Sequence, residues 1–202
     1  MSAVRPPEDT GKSEILDALA SRPSFNGPSF SLRNRLLRAL FIVVWAATAT
    51  WTPRQLAPWR RFLLRAFGAS MAPRSDVRGS ARVWYPPNLV MHEGAVIGPR
   101  VNCYNLGPIT IGRRALISQD AHLCSGTHDF DDPHFQLQAR AIVIGAQAWV
   151  CAEAFVGPGT QVGEGAVVGA RCVTFGELAP WTVYAGNPGR AVRERKRFEP
   201  LP

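Results

Sequence analysis

Residues 144–172 read IGAQAWVCAEAFVGPGTQVGEGAVVGARC, and an aliphatic side chain returns in them at every sixth position: Ile144, Val150, Val156, Val162 and Val168. One place later stands a small residue each time (Gly145, Cys151, Gly157, Gly163, Gly169), and four places later another (Ala148, Ala154, Thr160, Ala166, Cys172). Three registers locked to one period without a gap are the mark of a repeat architecture. Period six matches neither 3.6 nor 7, which excludes an amphipathic helix and a coiled coil. It suits a strand of two or three residues followed by a corner, with three such units closing one triangular coil. The aliphatic residue then stacks inward on its equivalents above and below. The small residue four places on falls near a corner, where bulk would strike the next coil. Glycine after the aliphatic is expected to give the chain freedom to bend.

The pattern continues upstream. Ile111, Ile117 and Leu123 carry it, with Ala115 and Ala121 in the small slots; Met91 and Ile97 precede them after an insertion at 86–87; Val77 and Val83 begin it. The fold class is therefore an all-β solenoid, a parallel β-helix of hexapeptide repeats over 76–185, with another solenoid or a β-sandwich as the competing reading. The period alone leaves the hand of the winding open. Flanking pieces read as end covers. Residues 32–47 have helical spacing (Leu32, Leu36, Leu40, Val43, Val44) and Pro53 stops them. Pro58 suits the start of a second helix over 59–67, with Gly68 at its end. Residues 190–197, after Gly186-Asn187-Pro188-Gly189, read as a short basic helix within a C-terminal piece over 186–202, and residues 1–29 as a disordered tail.

The 202-residue chain suits one domain with a core, and its net charge is +8. The charge is local. Residues 31–75 hold Arg33, Arg35, Arg38, Arg54, Arg60, Arg61, Arg65 and Arg74 and no acid, while the remainder balances at 15 basic against 15 acidic residues. That distribution describes one face and argues against nucleic acid as the partner. Cys103, Cys124, Cys151 and Cys172 lack metal-ligand and disulfide-framework spacing, so a reducing, cytoplasmic setting is the expectation. No signal-peptide pattern opens the chain, and the longest uncharged run, 39–53, is shorter than the roughly 20 residues of a membrane span.

The rhythm breaks between Leu123 and Ile144, where a loop carries Ser125-Gly126-Thr127-His128-Asp129. Loops on a rigid scaffold are where function sits. His128 follows a flexible stretch and precedes Asp129, an acid that could orient its ring. His92, His122 and His134 make no ligand spacing, and no metal site is expected.

The repeat block, the SGTHD loop and the closing VYAGNPGRAVRERK resemble the hexapeptide acyltransferases, and most nearly the colanic-acid-biosynthesis acetyltransferases. The likeness runs over about 30–197 and includes the basic N-terminal helices. It implies a left-handed winding, acetyl-CoA as donor, a saccharide-type acceptor and a homotrimer. By the same resemblance His128 is the catalytic base, and Trp149 lies beside the CoA arm with Ala152 and Ala170. Arg190 and Arg193 reach towards the nucleotide phosphates, while Asn105 and Asp129 lie on the acceptor side. Cys151 departs from the family's usual glycine, and Phe175-Gly176 stands where some relatives place Thr-Lys. The acceptor stays open: an amino sugar or other small molecule is an alternative, as is a non-catalytic β-helix module. A carbonic-anhydrase-like role would want three ligating histidines in a spacing that is absent.

The arginine-rich segment admits two readings. Either its helices merely cap the solenoid, or an apolar face with Trp45, Trp51 and Trp59 nearby meets a membrane surface through anionic headgroups.

Overall fold

A computed structural model describes residues 30–198 except 132 and 134. The expectations for residues 1–29 and for His134 fall outside the described residues. The chain opens with helix α1 (Leu32–Thr48), whose Ser31 side chain accepts from the Asn34 N–H, and α2 (Ala57–Ala66), with Pro58 in its first turn. The coils follow in order. The first is β1 (Ser70–Met71), β2 (Asp76–Val77) and β3 (Arg82–Val83); the second β4 (Leu89–Met91), β5 (Val96–Ile97) and β6 (Asn102–Tyr104). The third is β7 (Ile109–Ile111), β8 (Leu116–Ile117) and β9 (His122–Cys124), after which β10 (Gly126–His128) and β11 (Leu137–Ala139) form a projecting hairpin. The fourth is β12 (Ile142–Ile144), β13 (Trp149–Val150) and β14 (Phe155–Val156); the fifth β15 (Gln161–Val162), β16 (Val167–Val168) and β17 (Val173–Thr174). The last is β18 (Glu177–Leu178) and β19 (Thr182–Ala185), and β20 (Arg190–Glu194) ends the chain's regular structure.

Equivalent strands pair in parallel into three faces: β1-β4-β7-β12-β15-β18, β2-β5-β8-β13-β16-β19 and β3-β6-β9-β14-β17. This is the parallel β-helix that the period of six requires. Ile144, Val150, Val156, Val162 and Val168 all point inward with at most 2% exposed, as do Val77, Ile97 and Ile117 with none. The small slot is equally closed at Ala148, Ala154, Thr160, Ala166 and Cys172. The first coil starts at Ser70, ahead of position 76, because Met71 already stacks on Met91.

Two local rules differ from expectation. The glycine after the inward residue supplies room, since its φ is not positive. A Cβ on Gly145 would sit 2.6 Å from the Glu164 nitrogen, and one on Gly112 2.6 Å from that of Ala146. The left-handed turn falls two residues later instead, at Arg100, Arg114, Asp120, Gln147, Glu153 and Arg171, with φ of 55–60°. A side chain there costs roughly 1 kcal/mol or more. The turn is held because each such N–H reaches the coil below: Gln147 to the Arg113 oxygen (2.8 Å), Glu153 to that of Gln119 (3.1 Å), Arg171 to that of Ala152 (3.0 Å).

The helices close one end. Trp45 donates its indole N–H to the Gly79 oxygen at 2.9 Å. Arg60, 1% exposed, binds Asp76 at 2.9 Å, the Val77 oxygen at 2.7 Å and the Pro53 oxygen at 2.8 Å. It is thus no part of a solvated arginine face. Residues 190–194 form a strand and not the expected helix: β20 lies antiparallel on β19, and Gly186–Gly189 is the turn between them. The last coil leaves an unpaired strand edge, and β20 satisfies its N–H and C=O groups as a helix would not.

Candidate functional site

The β10–β11 hairpin leaves the solenoid where the third face turns into the first. Gly126 can pass over Tyr104 and Leu106 because it has no side chain; a Cβ would lie 2.8 Å from the Leu106 methyl. Ser125 beneath it is buried, its hydroxyl bridging Gly107 N–H (2.8 Å) and the Gly107 and Tyr104 oxygens. That anchor fixes the root of the strand that carries His128.

His128 is exposed, and its Nδ1 lies 2.6 Å from the Phe135 carbonyl oxygen. A carbonyl only accepts, so Nδ1 carries a proton, and in the neutral imidazole the lone pair is the one on Nε2. Asp129 does not orient the ring. Its carboxylate accepts from the Asp131 N–H (3.1 Å) and from the Gln138 side chain (3.2 Å), which ties the hairpin to itself. Asp129 and His128 share a cleft of about 310 Å³ with Phe130, Gln138, Arg140 and Phe175. Arg140 was not singled out in the sequence, and Phe175 was noted only as a departure on the donor side, since the cleft forms only when the fifth coil stacks under the hairpin. Phe175 also covers Gly157, where a Cβ would be 2.1 Å from its ring. A larger cleft, about 520 Å³, lies between α1 and β3 and holds none of the expected site residues.

Asn105 is placed elsewhere. It is wholly buried; its Oδ1 accepts from the Tyr85 N–H at 2.9 Å and its Nδ2 donates to the Tyr85 oxygen at 2.7 Å. The acceptor role expected of it is therefore corrected to a clamp between adjacent coils, with its amide already occupied.

The remaining expected residues gather on the second face. Trp149 points outward from β13, half exposed, and donates to the Ser118 hydroxyl at 2.9 Å. Its outward neighbours up the sheet are Val167, then Val183, then Arg193 on β20. Three strand spacings make that line about 14 Å long. Ala152 and Ala170 occupy the same corner in successive coils, and Arg190 lies on the same added strand, exposed. The strand that replaces the expected helix is what puts Arg193 in line with the tryptophan, with Arg190 opposite Ala185 at the strand's start. His128 lies off this face, on the hairpin.

Burial shifts two groups towards their neutral forms. His122 on β9 is half-buried between Asn102 (3.2 Å from its Nε2) and the Phe155 ring, and desolvation lowers its pKa. The enclosed Cys103 thiol is pushed up to about 12 by desolvation. All four cysteines are free, and among the described residues no three His, Cys, Asp or Glu side chains are grouped to hold a metal ion.

The chain is 44% identical over 158 residues to a protein of Escherichia coli (strain K12) named colanic acid biosynthesis acetyltransferase WcaF, a match over 77% of this chain and 87% of that one. Its fold is similar to that of a hexapeptide-repeat acetyltransferase from Vibrio cholerae complexed with acetyl-CoA: TM-score 0.73, 20% identity, 85% of this chain and 94% of the other. It is similar also to a maltose O-acetyltransferase from Clostridium difficile 630: TM-score 0.69, 19% identity, 83% and 92% covered. No protein-family model matches the chain.

Proposed function

The chain belongs to the hexapeptide-repeat acetyltransferases, and from that premise we propose that it moves acetyl from acetyl-CoA to a hydroxyl of a saccharide or saccharide-bearing intermediate, with His128 as general base. The observation that carries the reading is the His128–Phe135 hydrogen bond, which makes Nε2 the basic nitrogen of the neutral ring at a cleft of small-molecule size.

A hydroxyl is a weak nucleophile at neutral pH, so the base must remove its proton as the oxygen attacks. Nε2 takes that proton, the C–O bond forms at the thioester carbonyl, and the negative charge passes to the carbonyl oxygen. Main-chain N–H groups can stabilise that oxyanion. Its collapse breaks the C–S bond, and the leaving thiolate takes the proton back from Nε2. Every atom and electron is accounted for without a metal or a covalent enzyme intermediate.

The donor lies along the second face, with Trp149 and the Ala152–Ala170 corner beside its arm and Arg190 and Arg193 towards its phosphates. Asp129, with Arg140 and Gln138, offers hydrogen-bonding groups to a polyhydroxylated acceptor. His128 and Trp149 lie on different parts of one solenoid, which favours a homotrimer in which the hairpin of one subunit faces the Trp149 of its neighbour. The outward ladder Val96, Leu116 and Trp149 supports a partner on that face. With acetyl-CoA as donor, the reaction belongs in the cytoplasm, in polysaccharide biosynthesis. Free-thiol release from acetyl-CoA with a panel of sugars, amino sugars and lipid-linked saccharides tests the proposal. Thiol release that no acceptor stimulates counts against it, and stimulation only by amino sugars selects N-acetylation.

A further inference from the structure

Helix α1 is apolar on both sides. Phe41 and Trp45 face the solenoid, while Leu32, Leu36, Leu40 and Val43 point away from it, 56–66% exposed. A helix apolar all round is a buried helix, yet nothing in this chain's described residues covers the outer side. The apolar surface continues past its end: Trp51, 71% exposed, and Trp59 donate their indole N–H groups to the Ala47 and Thr48 oxygens, and Phe62 stacks beside Trp59.

The rim of this surface is cationic. At helical spacing Arg33 and Arg35 flank the Leu32–Leu36–Leu40 stripe on opposite edges, and Arg54 lies in the link between the helices; all three are exposed. Arg60, Arg61, Arg65 and Arg38 are engaged with the first coil or with Trp84. Residues 31–75 contain no acid. Aliphatic side chains edged by tryptophan and arginine match the depth profile of a bilayer surface with anionic headgroups. At 17 residues α1 is about 25 Å long, and among the described residues no helix is long and apolar enough to cross a membrane.

We propose that the outer face of α1, with Trp51, Trp59 and Phe62, seats this protein on an anionic lipid surface. The occupant is a lipid and not a second copy because the rim carries one sign of charge, and a copy of the same rim would meet it with like charge. The proposal is independent of the chemistry assigned to His128.

Sedimentation of the intact protein with vesicles tests it. The protein pellets with phosphatidylcholine–phosphatidylglycerol vesicles at low salt and not with phosphatidylcholine alone, and high salt weakens binding at least about tenfold. Leu36→Glu with Leu40→Glu abolishes pelleting. Arg33→Ala with Arg35→Ala, which leaves the packing untouched, weakens it by about fivefold per arginine. Circular dichroism and mass in solution stay as in the wild type. A wild-type protein that stays in the supernatant at low salt overturns the proposal. So does wild-type binding by the variants, and so does a fall in assembly mass for the glutamate pair, which assigns the face to another copy.

Discussion

The imidazole of His128 is tethered through Nδ1 to the main-chain oxygen of Phe135, 2.6 Å away and seven residues on, across the hairpin that β10 and β11 build. This contact uses no charged partner, and the Asp129 carboxylate takes no part in it.

His128→Ala lowers turnover about 100-fold or more at saturating donor, the usual scale for losing a general base. The side chain is exposed, so the melting temperature stays near the wild-type value. Asp129→Asn keeps most of the turnover, because the carboxylate binds Gln138 and the Asp131 N–H and not the ring. Steady-state thiol release for both variants checks the pair, and an Asp129→Asn as slow as His128→Ala contradicts the geometry.

Arg60→Ala destabilises the protein by about 3 kcal/mol, because it strands two carbonyls beneath α2 and leaves the Asp76 carboxylate with its Arg78 pair alone. Urea unfolding measures it. Arg74→Ala serves as control: its Glu93 pair is exposed, and the change stays within about 1 kcal/mol.

The inward ladder was legible because each of its positions is decided locally. Ile144, Val150 and Val156 are aliphatic whatever their neighbours are. The left-handed corner was not legible, since Arg100, Asp120, Gln147 and Glu153 fill it and share no composition. What holds them there is a hydrogen bond to the coil below, which no sequence window contains. Residues 190–194 read as a basic helix because an edge strand also carries charge, and only the open edge of β19 decides between them. At the site, the hairpin histidine showed itself as a break in the rhythm. The cleft around it did not, since Arg140 stands at the hairpin's return and Phe175 is brought to it by the fifth coil.

Gly145→Ala destabilises the solenoid more than an ordinary helix or strand change, since its methyl would meet main chain 2.6 Å away with no room to yield. Overpacking of this kind costs typically 1–3 kcal/mol. Thermal unfolding reads it, and a variant as stable as the wild type contradicts the coil spacing.

Acidification weakens the protein partly through His122. Burial lowers its pKa in the folded state below the ordinary 6.5, so the neutral form is the one that fits beside Asn102 and Phe155. The contribution is fully present above the unfolded value and is lost as the pH falls through it. Melting temperature therefore drops as the pH falls below about 6.5 in the wild type, and His122→Gln flattens that drop. An unchanged slope in the variant assigns the drop to other groups.

The shared site of the proposed trimer is tested by mixing. If His128 and Trp149 of one site come from the same subunit, His128→Ala and Trp149→Ala proteins, each inactive, give no active site however they are combined. If the hairpin of one subunit faces the Trp149 of the next, a mixed trimer contains junctions where an intact histidine meets an intact tryptophan. Random assembly from equal amounts gives each half an even chance, so about one quarter of the junctions are whole. Denaturing the two variants together and refolding them then restores about a quarter of wild-type thiol release, while refolding each alone restores none. The wild type taken through the same cycle sets the scale. Recovery of wild-type activity in that control with none in the mixture places both residues within one subunit.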